Sequence, residues 1–158
     1  MIGGITVELV FVCTGNTCRS SMAEGLARHI WAKRWKSCGD LRVSSAGVAA
    51  WPGEMASPQA VYALREKGID IHEHRSRPLT SEITEHAGLL LTMTKKHKEQ
   101  ILEIFPETAG KVFMLAEFAG HGPVDMPDPF GESKETYQLC ADALESLIIP
   151  ALERIAGN

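Results

Sequence analysis

Cys13 and Arg19 stand six positions apart in Cys13-Thr14-Gly15-Asn16-Thr17-Cys18-Arg19-Ser20, directly after the apolar run Val7-Glu8-Leu9-Val10-Phe11-Val12. A thiol and a guanidinium so placed can handle a phosphate-like anion together. A β-branched run ending in a short Gly-containing turn, followed by a helical pattern, reads as strand, loop, helix. Such a loop can direct several backbone N–H groups and a helix N-terminus at one point, which makes an anion site. A thiol in that field titrates at roughly 3.5–7.5 instead of about 8.5. Arg19 adds a planar fork able to grip two oxygens of a phosphoryl group. The expected chemistry is phosphoryl transfer through a phosphocysteine.

Taken singly, Cys13 could be a small apolar filler and Arg19 a solvated helix-start residue. Their coincidence with Gly15, Asn16 and Ser20 in one strand–turn–helix segment favours the catalytic reading. No metal is expected, because Cys13 and Cys18 are separated by four residues and Cys38 and Cys140 have no second Cys or His at ligand spacing. No cofactor is expected either, and the turn lacks the Gly-Lys-Ser/Thr of a nucleotide-binding loop.

A cysteine that accepts a phosphoryl group needs a proton donor for the leaving group, then a base to activate water, and one carboxyl can serve both. Asp128, between Pro127 and Pro129, is the candidate, since two prolines stiffen the backbone that presents it. A surface-turn aspartate is the competing reading. Asp125 is the alternative donor.

These residues must be positioned by a fold, and the chain alternates strand-like and helical stretches. Strands are expected over about Ile5–Val12, Leu41–Ala46 (closed by Gly47), Ala87–Met93 and Lys111–Leu115. Helices are expected from near Ser20 (Met22, Leu26, Ile30 and Trp31 inward), from Ser57-Pro58 to Gly68, over Lys95–Phe105 up to Pro106, and over Tyr137–Ala156. In the last, Leu139, Ala143, Leu147 and Ile148 form the expected apolar face, with a kink or break at Pro150. The result is an α/β fold, a single domain over residues 1–158, with a four-stranded parallel sheet flanked by helices. Ligands of such sheets bind beyond the carboxyl ends of the strands, where Cys13 lies. The long connection Ala116–Ser133, rich in Gly and Pro, is expected to be functional.

Composition narrows the classes further. With 158 residues, 44% hydrophobic content and a net charge of −4, the chain reads as a soluble globular domain with no feature of a nucleic-acid binder. Lys33, Arg34 and Lys36 read as a solvated helix end. No apolar run approaches the roughly 20 residues that span a bilayer, and residues 1–12 lack a secretory signal's pattern. A cytoplasmic monomer is expected, with no membrane partner, because thiolate chemistry needs a reducing compartment.

The Cys13–Ser20 segment and Asp128-Pro129 resemble the two signatures of the low-molecular-weight protein tyrosine phosphatase family. Ser45-Ala46-Gly47, Leu91-Thr92-Met93-Thr94 with His97-Lys98, and Gly68-Ile69-Asp70-Ile71 followed by His74-Arg75-Ser76 resemble segments of its bacterial members. The resemblance covers nearly the whole chain. It implies a cytoplasmic, metal-free enzyme with Cys13 as nucleophile, Arg19 as phosphate clamp and Asp128 as general acid, then base. Ser20 would donate a hydrogen bond to the thiolate, and Asn16 would hold the loop, helped by His74 or alternatively His72. Cys18 would form a reversible disulfide with Cys13 that protects the nucleophile; a buried helix-start residue is the other reading.

Thr17 stands where tyrosine-specific members carry an aliphatic residue, and Asp128-Pro129-Phe130-Gly131 replaces their Asp-Pro-Tyr. Both features resemble bacterial protein arginine phosphatases. Thr17 and Phe130 are therefore the expected specificity residues, phosphoarginine in a protein the favoured substrate and phosphotyrosine the alternative. Ser21 replaces the usual proline, a loss of preorganisation only. A thiol-linked arsenate reductase and an inactive phospho-residue binder are the minor alternatives; the first needs a route from Cys38 or Cys140 to Cys13. Trp51 is expected to anchor its loop rather than wall the pocket.

Overall fold

Strand β1 (Val7–Cys13) is apolar on both faces: Leu9, Phe11 and Cys13 enter one core cluster, Val10 and Val12 a second. A strand buried on both sides belongs in the middle of a parallel sheet covered by helices. The computed structural model, which describes residues 6–157, places it there. The element order is β1, α1 (Arg19–Arg34), β2 (Leu41–Gly47), α2 (Pro58–Arg65), α3 (Ser81–His86), β3 (Leu89–Thr92), α4 (Lys95–Ile104), β4 (Val112–Met114), α5 (Leu115–Phe118) and α6 (Lys134–Ile155). The four parallel strands run in the order β2-β1-β3-β4. Successive connections leave β1 in opposite directions, so the switch point lies at the carboxyl end of β1, beside Cys13.

The sheet register carries function as well as stability. Phe11 pairs with Ser45 and Cys13 with Gly47, which brings the end of β2 against the loop after β1. A Cβ at Gly47 would collide with the Thr14 carbonyl and with Ala50, so only glycine permits that approach. Helices α1 and α6 pack on one face with Met22, Leu26, Leu144, Ile148 and Leu152 in the larger cluster. Ile101 of α4 covers the other. Ser57, Thr80, Thr94 and Ser133 each accept a backbone N–H at a helix start, as N-caps do.

Several expectations need correction. Leu139 and Ala143 are exposed; the buried stripe of α6 is Tyr137, Cys140, Ala141, Leu144, Ile148, Ala151, Leu152 and Ile155. Tyr137, the bulkiest fully buried side chain, sets that rotation. Helix α6 runs through Pro150 without a break, because packing on both sides of the proline offsets the hydrogen bond that it cannot make. The connection before α6 begins with the helical turn α5, and α3 was not anticipated: at six residues it is too short for a periodic signal. Strand β1 reaches Cys13; Ile5, its expected start, lies outside the described residues.

Candidate active site

The loop between β1 and α1 is wrapped by hydrogen bonds on every side. The Cys13 and Thr14 carbonyls accept the Val48 and Ala49 N–H groups at 2.9 and 3.0 Å. Asn16 takes a left-handed conformation, φ 59°, and is wholly buried. Asparagine is among the few non-glycine residues that tolerate that region. Its side-chain nitrogen donates to Ser20 Oγ (2.8 Å) and Ser45 Oγ (2.9 Å), and its side-chain oxygen accepts the Arg77 N–H (3.0 Å). His74 Nε2 donates to the Asn16 carbonyl at 2.6 Å. His72 pairs instead with Asp70 on the surface, so of the two histidines only His74 holds the loop.

Cys13 is 2% exposed and its sulfur lies 2.9 Å from Ser20 Oγ. Arg19, also buried, donates from Nη1 to the Met126 carbonyl at 2.9 Å and approaches Asp128 with Nη2 at 3.6 Å. Its Nε is buried without a partner among the described residues. A buried donor left unpaired is costly, and an anion oxygen in the loop would satisfy it. Asp128 has a half-exposed carboxylate that accepts the Phe130 N–H at 3.1 Å. The alternative donor, Asp125, accepts the Lys95 N–H at 2.9 Å at the start of α4 and is absent from the cavity lining.

Residues Cys13 to Arg19 line a cavity of about 270 Å³ together with Ala49, Trp51, Glu54, Asp128 and Phe130. Trp51 and Phe130 are 75% and 73% exposed and form an aromatic rim. Trp51 therefore walls the pocket and does not anchor its loop; that loop is tied by Ser76, which donates to the Trp51 and Glu54 carbonyls. Thr17 lies on the wall, its hydroxyl 3.8 Å from Cys18 Sγ.

Three buried groups lie behind the loop, a placement for which the sequence offers no signal. Tyr137 places its hydroxyl 3.2 Å from Cys18 Sγ, and burial, then the Cys18 contact, pushes its phenol up to about 12, so it stays a neutral donor. Burial pushes the Cys140 thiol up to about 12, so it stays protonated at neutral pH. His97 Nε2 lies 2.9 Å from Thr14 Oγ1. Burial first, and then the Arg19 charge, pull His97 from 6.5 down to about 4, so it is neutral at physiological pH. All four cysteines, Cys18 and Cys38 included, are free thiols. Among the described residues no group of His, Cys, Asp or Glu could hold a metal ion.

Residues 8–158 match the family described as low molecular weight phosphotyrosine protein phosphatase. The chain belongs to this family. Among the phosphatase's relatives, the protein-arginine-phosphatase of Bacillus subtilis is 44% identical over 90% of this chain and 92% of its own length. The tyrosine phosphatase Wzb of Escherichia coli is 32% identical over 87% and 88%. Two solved structures share the fold. A Cys-to-Ser mutant of the YwlE arginine phosphatase with a phosphorylated active-site serine matches with a TM-score of 0.90 and 42% identity, over 96% of this chain and 97% of that one. YwlE from Geobacillus stearothermophilus matches at 0.86 and 41%, over 94% and 92%. The expected family and fold are borne out.

Proposed function

We propose that this phosphatase hydrolyses phosphoarginine in proteins, with Cys13, Arg19 and Asp128 as its reacting trio. The Cys13 sulfur attacks phosphorus as a thiolate, and the P–N bond breaks as Asp128 protonates the departing guanidine nitrogen. Arg19 and the backbone N–H groups of Thr14 to Cys18 take up the charge that builds on the phosphoryl oxygens. Water then attacks the phosphocysteine, giving its proton to Asp128, and the P–S bond breaks to release phosphate and restore the thiolate. The observation that carries the mechanism is the approach of Arg19 to Asp128 over the mouth of the loop that begins at Cys13.

Three things support arginine. Thr17 contributes a hydroxyl-bearing side chain, not an aliphatic one, to the cavity lining, which suits a polar leaving group. The Asp128 and Glu54 carboxylates at the cavity suit a cationic one. The 44% identity to an arginine phosphatase exceeds the 32% to Wzb. Phosphotyrosine is the second reading, favoured by the exposed aromatic rim of Trp51 and Phe130, which could wall a phenyl ring. Cys18, close in sequence to the nucleophile, is the proposed partner of a protective disulfide. A complete site within one chain supports a monomer, and the need for a reduced thiol supports the cytoplasm. Side-by-side kcat/KM on phosphoarginine and phosphotyrosine peptides tests the substrate. A clear advantage for arginine is expected; an advantage for tyrosine overturns that assignment.

A further inference from the structure

Four hydrogen bonds lead from the reacting sulfur to a carboxylate outside the catalytic cavity. Ser20 Oγ lies 2.9 Å from Cys13 Sγ, and Asn16 Nδ2 bridges Ser20 Oγ (2.8 Å) and Ser45 Oγ (2.9 Å). Ser45 Oγ in turn lies 2.6 Å from Glu24 Oε1. The direction of every bond is determined. The Arg77 N–H can only donate, so the Asn16 atom facing it is the amide oxygen and the other is the amide nitrogen. Both amide hydrogens then go to the serine oxygens. The Ser45 proton cannot point back at Asn16 and goes to Glu24, whose carboxylate only accepts. The Ser20 proton is left for Cys13.

We propose that Glu24 is a positioning residue for phosphoryl transfer: its acceptor-only carboxylate takes the Ser45 proton, which leaves the Ser45 oxygen free to accept from Asn16 and so steadies the amide that keeps the Ser20 hydroxyl donating to the Cys13 thiolate. A donor in place of Glu24 would turn the Ser45 proton toward the Asn16 amide hydrogens. That contact would break, and Asn16 would loosen on the side it shares with Ser20. Glu24 is itself held by Arg28, which donates to Oε2 at 2.9 Å and to the Val43 carbonyl at 2.7 Å. Both residues line a groove of about 900 Å³ that contains neither Cys13 nor Arg19. Glu24 thus acts on the sulfur only through Ser45, Asn16 and Ser20.

The inference rests on Cys13 being the nucleophile, and alkylation of the Cys13 peptide by iodoacetamide reads the thiol independently of turnover. Glu24→Gln keeps size, and because Arg28 donates to the far oxygen, the amide oxygen stays on that side and the NH2 faces Ser45. Its alkylation–pH curve is expected to move up by about half a unit, and kcat/KM for p-nitrophenyl phosphate to fall about fivefold, as for other couplings within one network. Ser45→Ala should shift the curve the same way, and the double variant no further than either single one. Arg28→Ala keeps the acceptor and should leave the curve in place. Curves for Glu24→Gln and Ser45→Ala that superpose on wild type overturn the proposal, as does an equal upward shift in Arg28→Ala, which retains the acceptor, or a downward shift in Glu24→Gln, the direction that loss of a negative charge alone would give. A shifted curve in a protein without phosphatase activity would overturn the proposed function and leave only the control of the Cys13 thiol by Glu24 standing.

Discussion

Asn16 and Asp128 face the same cavity under opposite conditions. Asn16 is wholly buried, and hydrogen bonds to Ser20, Ser45, Arg77 and His74 hold its side chain and carbonyl. Asp128 is half exposed, on a segment tied down by the Met126 N–H to the Met93 carbonyl and by Arg19 to the Met126 carbonyl. The first arrangement keeps an anion cradle built before substrate arrives, which is what electrostatic stabilisation of a transition state requires. The second leaves a carboxyl in contact with water, which a group that must both give and take a proton requires. In the proposed mechanism, rigidity sits where charge develops, and solvent access where protons move.

That contrast can be broken at either end. Asp128→Ala should lower kcat on a phosphoarginine peptide by about 10²–10⁴-fold. Its melting temperature should stay within a few degrees of wild type, because the Asp128 carboxylate is half exposed and only loosely paired, 3.6 Å from Arg19. Asn16→Ala should do the reverse in kind. It leaves the Arg77 N–H without an acceptor and two serine oxygens without a donor, and puts alanine at a positive φ. The expected loss is about 3 kcal/mol in denaturant unfolding, accompanied by a fall in kcat. Equal stability in these two variants would contradict the division of labour.

His97 sharpens the comparison from the cradle's flank. Below 6.5 the unfolded chain takes up a proton that the folded His97 refuses until about pH 4. Stability should therefore fall as pH drops through that window, by up to about 3 kcal/mol from this group. His97→Asn should flatten that limb in melting experiments at a series of pH values; an unchanged limb would assign the acid lability elsewhere. The smallest effect expected is at Thr17. Thr17→Ile should move the arginine-to-tyrosine ratio of kcat/KM about tenfold toward tyrosine. An unmoved ratio would remove its hydroxyl from the specificity argument.

The two loops also differed in how far the sequence disclosed them. Cys13, Asn16, Arg19 and Ser20 are readable because the proposed nucleophile, clamp and supports sit within eight consecutive residues. Asp128 is readable through its flanking prolines. The partners that hold these groups are not. Ser45 reaches Asn16 through the pairing of β2 with β1, and the Met126 carbonyl that fixes Arg19 belongs to the backbone, which no residue type reveals. Glu24 lies four residues after Ser20 on α1 and reads as an ordinary helix glutamate until the fold brings Ser45 beside it. The sheet was legible strand by strand, whereas the rotation of α6 was not: Leu139 and Leu144 are equally apolar, and only packing around Tyr137 decides which one is buried.

The most direct measurement follows the phosphorus itself. p-Nitrophenyl phosphate has a leaving group that needs little protonation, so Asp128→Ala should still transfer its phosphoryl group and then stall. Rapid mixing should show a burst of nitrophenol equal to the enzyme present, and mass spectrometry of the quenched protein should find the phosphate on Cys13. A steady release without a burst, with Cys13 unmodified or the phosphate on another residue, would contradict a phosphocysteine formed in a prebuilt cradle.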